Sequence, residues 1–145
     1  MTSVLYVDDE PAIRRAVHLW LQRYGIAVRS TGTVQEAVAL LEREHMDGAF
    51  IDVWLEDGTG FELYDWIREH DARLAQRVVF VTGDTLSDPT VLRRLRALGV
   101  PTMVKPFDLE ELKAHAARWG RESSEIPRPE AAFEPPPPME RDTEA

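Results

Sequence analysis

Four short apolar runs in this chain each end on polar residues able to do chemistry. Val4-Leu5-Tyr6-Val7 leads into Asp8, Asp9 and Glu10, and Ala49-Phe50-Ile51 into Asp52; Val78-Val79-Phe80-Val81 leads into Thr82 and Gly83, and Met103-Val104 into Lys105 and Pro106. Taken singly, a polar residue in such a place is ordinarily a cap or a turn former. Gathered at one place, three carboxylates repel one another and hold protons more tightly unless a cation intervenes. Lys105 supplies only one positive charge, so the set is short of cation. Oxygen-only ligands, few in number and with room for water, suit Mg2+ better than zinc or a calcium cage. Magnesium held in this way ordinarily meets a phosphoryl group, and an aspartate beside it can act as a nucleophile that forms an acyl phosphate. The Lys105 ammonium would neutralise a second phosphoryl oxygen, and the Thr82 hydroxyl would donate to a third.

Such a site requires elements that bring four strand ends together. Each apolar run, with Ala27-Val28 as a fifth, is followed by a stretch of helical spacing, which predicts five strand-helix units. Pro11 suits a first helical turn, Thr33 with Glu36 and Asp108 with Glu111 fit capping boxes, Asp88-Pro89 reads as a cap and first position, and Gly25 and Gly99 fall just past helix ends. Ile13, Val17, Leu21 and Tyr24 make one core-facing stripe with Trp20 beside it; Val34, Ala37, Val38 and Leu41 make another. Strands that are apolar throughout, joined by crossover helices, imply a parallel sheet covered on both faces. Right-handed crossovers then give an α/β, doubly wound sheet in the order 2-1-3-4-5, flanked by five helices in the flavodoxin-like manner. Residues past the carboxyl ends of its strands converge near the switch point between the first and third strands. Gly58 and Gly60 let the loop after Asp52 turn tightly.

Composition narrows the class further. The 145 residues, 43% hydrophobic, make roughly one domain. There is no cysteine, and the four histidines lack paired-ligand spacing, which excludes disulfides, thiolate metal sites and a zinc motif. No apolar run approaches the roughly 18 residues that span a bilayer, and the N-terminus lacks a signal-peptide pattern; a cytoplasmic protein is expected. The net charge of −9 argues against nucleic acid or an anionic membrane as main partner. More than half of that excess lies in residues 122–145, which also hold six of the ten prolines and almost no aliphatic side chains. The division expected is a domain over 1–121 and a disordered acidic Pro-rich tail over 122–145.

From residue 3 to about 120 the sequence resembles the receiver domain of two-component response regulators, with a chemotaxis-regulator-like fold. The resemblance rests on Asp8-Asp9 in Val-Asp-Asp-Glu-Pro, on Asp52, on Thr82 with small Gly83, and on Lys105-Pro106-Phe107. It implies that Asp52 accepts a phosphoryl group from the phosphohistidine of a histidine kinase or histidine phosphotransfer protein. It also implies that Asp9 and Asp52 bind Mg2+ with the backbone carbonyl of Trp54, while Asp8 holds a metal-bound water. Lys105 would contact the phosphoryl group, Thr82 would move toward it, and the Lys105-Pro106 bond would be cis. The expected function is a stand-alone phosphoacceptor in a phosphorelay, switching a protein-interaction surface, with self-phosphorylation and autodephosphorylation but no external turnover. A receiver segment of a larger regulator or hybrid kinase is the alternative, followed by a non-phosphorylated interaction module. A hydrolase with an aspartyl-phosphate intermediate stands further off, because such enzymes typically need a second aspartate where Trp54 stands.

Several positions depart from that pattern. Receivers commonly carry an aromatic residue three positions before the lysine; here it is Thr102, too small to sweep the same surface. Trp54 lies two residues past the acceptor, where its side chain would screen a phosphoryl group from water and slow hydrolysis. Glu56-Asp57 replaces a common proline and is read as a solvated turn, with an extra carboxylate tuning metal affinity as the alternative. Arg93, Arg94 and Arg96 on the fourth helix, and Asp108, Glu110 and Glu111 opening the fifth, could pair across a two-fold axis, giving an expected homodimer through the fourth helix, fifth strand and fifth helix. Trp66 and Trp119 are read as packing residues.

Overall fold

In the computed structural model, which describes residues 1–83 and 88–125, the two periodicities become alternating strands and helices. They are β1 (Ser3–Val7), α1 (Pro11–Gln22), β2 (Ala27–Thr31), α2 (Val34–Leu41), β3 (Gly48–Asp52), β4 (Trp54–Leu55), β5 (Gly58–Thr59), α3 (Gly60–His70), α4 (Ala72–Ala75), β6 (Val78–Thr82), α5 (Pro89–Leu98), β7 (Thr102–Val104) and α6 (Leu109–Glu125). The main sheet runs β2-β1-β3-β6-β7 with every pair parallel, which is the expected 2-1-3-4-5 order of its five strands. Two short elements were not expected. A hairpin pairs Trp54 with Thr59 and Leu55 with Gly58, and the one-turn helix α4 makes six helices among the described residues where five were expected; Asp71 caps it by accepting from the Leu74 amide at 3.0 Å. Both are too short to show a period in sequence.

Helix ends follow their local chemistry. Thr33 caps α2, Asp88 accepts from the Thr90 and Val91 amides with Pro89 in the first turn, and Gly25 and Gly99 take φ of 74° and 67°, the left-handed region that favours glycine.

Because side chains alternate along a strand, the sheet carries a core on each face. Val4, Tyr6, Phe50, Val79 and Val81 pack with Val17 and Leu21 of α1 and with Leu112, Ala116 and Trp119 of α6. On the opposite face Leu5, Val7, Ile51 and Phe80 pack under α2, α3 and α5. Trp119 is indeed a packing residue: it is buried with its ring centroid 4.9 Å from that of Phe50. A side chain at Gly48 would collide with it. Trp66 packs partly buried against the other core. Tyr24, expected in the α1 stripe, is 45% exposed, because the helix has ended at Gln22; its ring lies instead under the Lys113 ammonium at 4.0 Å.

At the amino edge of the sheet a polar network fastens the end of α6. Buried Asp47 accepts from the Ser3 amide and the Ser123 hydroxyl, both at 2.8 Å. Ser123 accepts in turn from Arg77 at 2.5 Å and Arg73 at 3.3 Å, and Arg77 faces Glu122 at 3.5 Å. These contacts carry α6 to Glu125, four residues past the boundary drawn at 121; the rest of the expected tail, 126–145, lies outside the described residues. Among the described residues no helix is long and apolar enough to cross a membrane.

Candidate functional site

The parallel sheet places the ends of β1, β3, β6 and β7 side by side, and four of the sequence-predicted residues meet there. Asp8, Asp9 and Asp52 offer carboxylate oxygens that all lie within 4.8 Å of one another. The Lys105 ammonium stands 2.9 Å from both Asp8 Oδ2 and Asp52 Oδ2, and 3.6 Å from Glu10. Its backbone is fixed by the β6–β7 ladder, where the Lys105 amide donates to the Thr82 carbonyl at 2.8 Å, and the Lys105-Pro106 peptide is cis. Thr82 is fully buried beneath this edge, and Gly83 lies against the Lys105 side chain, where an added Cβ would make an ordinary contact at 3.7 Å.

The three aspartates are held differently. Asp8 is fully buried with both oxygens engaged: Oδ2 accepts from the Tyr6 hydroxyl at 3.1 Å and from Lys105, and Oδ1 from the Glu10 amide at 2.9 Å. Asp52, nearly buried, accepts from the Trp54 amide at Oδ1, 3.2 Å away, and from Lys105 at Oδ2. Asp9 is exposed, and among the described residues its carboxylate has no hydrogen bond or ion pair. An oxygen-only set with one carboxylate uncommitted and a charge deficit fits a hard divalent cation.

Electrostatics follow from burial. Desolvation raises the Asp52 carboxyl above the usual carboxylate range; Lys105 offsets this in part and the Asp8 charge adds to it. Burial works against the Lys105 ammonium, yet the hydrogen bonds and charges of Asp52 and Asp8 outweigh it and keep the amine protonated above its ordinary range. Burial, with the Asp8 charge, pushes the Tyr6 phenol well up, so it stays a donor.

Around this core sit residues that shape it. Trp54 follows the acceptor on β4 with its side chain 48% exposed at the mouth. Gly60 packs so closely on the Asp52 backbone oxygen that any side chain would collide, so the glycine is needed for space; neither it nor Gly58 adopts a positive φ. Glu56 and Asp57 form the expected exposed turn, and the Asp57 carboxylate in addition accepts from the Val34 and Gln35 amides at the start of α2. Thr102, half-buried on β7, donates to the Val100 carbonyl at 3.4 Å beside an apolar cleft lined by Leu92, Leu95 and Val104.

Sequence reasoning passed over Tyr6 and Arg14, and the partners of Asp57. Tyr6 precedes Asp8 by two and so shares its face of the strand, a signal that period two carries. Arg14 donates to the Asp8 backbone carbonyl at 2.6 Å, one turn on from Glu10. Asp57 had no periodic signal at all.

The profile of the response regulator receiver domain matches residues 4–117. The chain is 34% identical over 111 residues to the response regulator protein PilR of Pseudomonas aeruginosa, covering 77% of this chain and 24% of that protein. It is 34% identical over 132 residues to the transcriptional regulatory protein TrcR of Mycobacterium tuberculosis, covering 87% and 48%. Among solved structures, chemotaxis protein CheY4 of Vibrio cholerae superposes with a TM-score of 0.70 at 30% identity, over 81% of this chain and 98% of that one. The chain thus spans between about a quarter and about half the length of these two curated relatives.

Proposed function

Because the chain belongs to the response regulator receiver domain family, we propose that Asp52 accepts a phosphoryl group from the phosphohistidine of a histidine kinase or histidine phosphotransfer protein, and that this switches a protein-interaction surface. The observation that carries the proposal is the cluster itself: three carboxylates within 4.8 Å of one another, with one ammonium 2.9 Å from two of them. An Asp52 oxygen attacks phosphorus in line with the P–N bond; that bond breaks, its electron pair returns to the imidazole nitrogen, and the acyl phosphate remains on Asp52. Mg2+, held by Asp9, Asp52 and the Trp54 carbonyl with Asp8 on a bound water, would neutralise charge on the phosphoryl oxygens. Lys105 is already protonated and fixed at this edge, so it meets the oxygen it neutralises without reorganisation. Thr82 donates to the phosphoryl group after transfer, and small Gly83 leaves room for it. The new charge-assisted hydrogen bonds bias the loop after β6 and the α5 surface, where Thr102 stands in place of an aromatic ring.

The direct test is intact-mass spectrometry after incubation with acetyl phosphate and Mg2+, comparing wild type with Asp52→Asn. One phosphoryl group on the wild type and none on the variant supports the proposal; no gain on wild type, or equal gain on both, overturns it.

A further inference from the structure

The β4–β5 hairpin has only two residue pairs, with Glu56 and Asp57 as its turn. A two-stranded hairpin of this size has no stability of its own, so its position is imposed from outside. At its base the Gly60 amide donates to the Val53 carbonyl at 2.8 Å. At its tip Asp57 accepts from the Val34 amide at 2.8 Å and the Gln35 amide at 3.0 Å, the first two amides of α2. The third, Glu36, is taken by the Thr33 hydroxyl at 3.0 Å. A carboxylate on two free amides at a helix start combines charge-assisted hydrogen bonds with the helix dipole. Although desolvation opposes it, those amides hold the Asp57 carboxyl below the usual range. The base of the same hairpin is the acceptor: the Trp54 amide donates to Asp52 Oδ1.

We propose that Asp57 is a positioning residue for the cation site: by tying the hairpin tip to α2, it fixes the Trp54 main chain against Asp52. The inference rests on the proposed Mg2+ site and adds a residue that touches none of its ligands. Release of the tip frees the hairpin and removes the preorganisation of that main chain.

The test is calorimetric titration of the full chain with MgCl2, with thermal unfolding of each protein in metal-free buffer. Asp57→Ala should raise the Mg2+ Kd roughly tenfold, as loss of supporting contacts around metal ligands typically does. Asp57→Asn, which keeps one amide oxygen as acceptor, should fall between. Glu56→Ala removes an equal charge from the same turn and should leave Kd within about twofold, since an exposed charge is screened. With acetyl phosphate at saturating Mg2+, the phosphorylation rate of Asp57→Ala should stay within about twofold of wild type. An Asp57→Ala Kd equal to wild type, even with a lowered Tm, would make Asp57 a helix cap only and overturn the inference. Equal weakening in Glu56→Ala would reduce it to bulk charge, with the same result. A wild type that binds no Mg2+ would overturn the underlying site instead, which the titration of wild type alone reveals.

Discussion

Each edge of the sheet buries an aspartate: Asp8 at the carboxyl edge and Asp47 at the amino edge. Around Asp47 the charges match, with Arg73 and Arg77 against Asp47 and Glu122, and Ser123 joining them. Around Asp8 they do not, because Asp8, Glu10 and Asp52 share the single ammonium of Lys105 while Asp9 beside them has no ion pair among the described residues. A buried charge with its complement holds elements together, whereas a cluster with more carboxylates than cations can take up a further cation. One edge therefore serves stability and the other chemistry.

Exchanging the cations tests this most severely. Arg77→Met leaves Ser123 and Glu122 without their buried guanidinium and should cost about 3 kcal/mol by denaturant unfolding. Its phosphorylation rate, measured well below the transition, should stay within about twofold of wild type. Lys105→Met should do the reverse, slowing phosphorylation about a hundredfold while shifting stability far less. If both variants fail in both assays, the division between the edges is wrong.

A smaller effect is expected from removing excess negative charge. Asp9 is exposed and unpaired among the described residues, so Asp9→Asn should stabilise the metal-free protein by about 0.5 kcal/mol while weakening Mg2+ binding at least about tenfold. No neutralisation at the amino edge should stabilise; Asp47→Asn serves as the contrast, and a gain there would erase the distinction.

Smaller again is the effect of Trp54. Its half-exposed ring stands beside the acceptor, where it would screen an acyl phosphate from water. Trp54→Ala should shorten the dephosphorylation half-life about threefold, or roughly 0.7 kcal/mol in barrier; an unchanged half-life removes the screening role.

These two edges were unequally legible in the sequence. The carboxyl edge could be read because Asp8, Asp52, Thr82 and Lys105 each terminate an apolar run, and parallel topology alone brings such ends together. The amino edge could not, since Asp47 and Ser123 are 76 positions apart and Ser123 and Arg77 are 46 apart, and no local period links them. The partners of Asp57 were missed for the same reason: the turn is exposed as expected, but the amides it accepts from lie on another helix and leave no trace in the turn's own sequence. Tyr24 shows the opposite error, a periodic stripe extended two residues past the helix that justified it. Gly60 was rightly singled out, but its need is space against the Asp52 backbone rather than backbone freedom; a side chain at Gly58 would collide only with the movable end of Glu62.

The smallest expected effect asks whether anything between the edges titrates. His115 on α6 lies against Phe50 and Trp119, and burial, helped by the Arg118 charge and opposed by Glu111, holds its imidazole below the usual range. The unfolded chain therefore takes up this proton first as pH falls, so the contribution to stability is full above about 6.5 and is lost as pH drops from there toward the folded value. His115→Phe should remove that slope and unfold at the same denaturant midpoint at pH 7 and pH 5.5, apart from what the edges contribute. A slope that survives in the variant would have to arise elsewhere in the chain and would remove His115 as its source. A slope that vanishes confines mildly acidic sensitivity to this one half-buried side chain of α6, and leaves the charge balance of both edges fixed over that range.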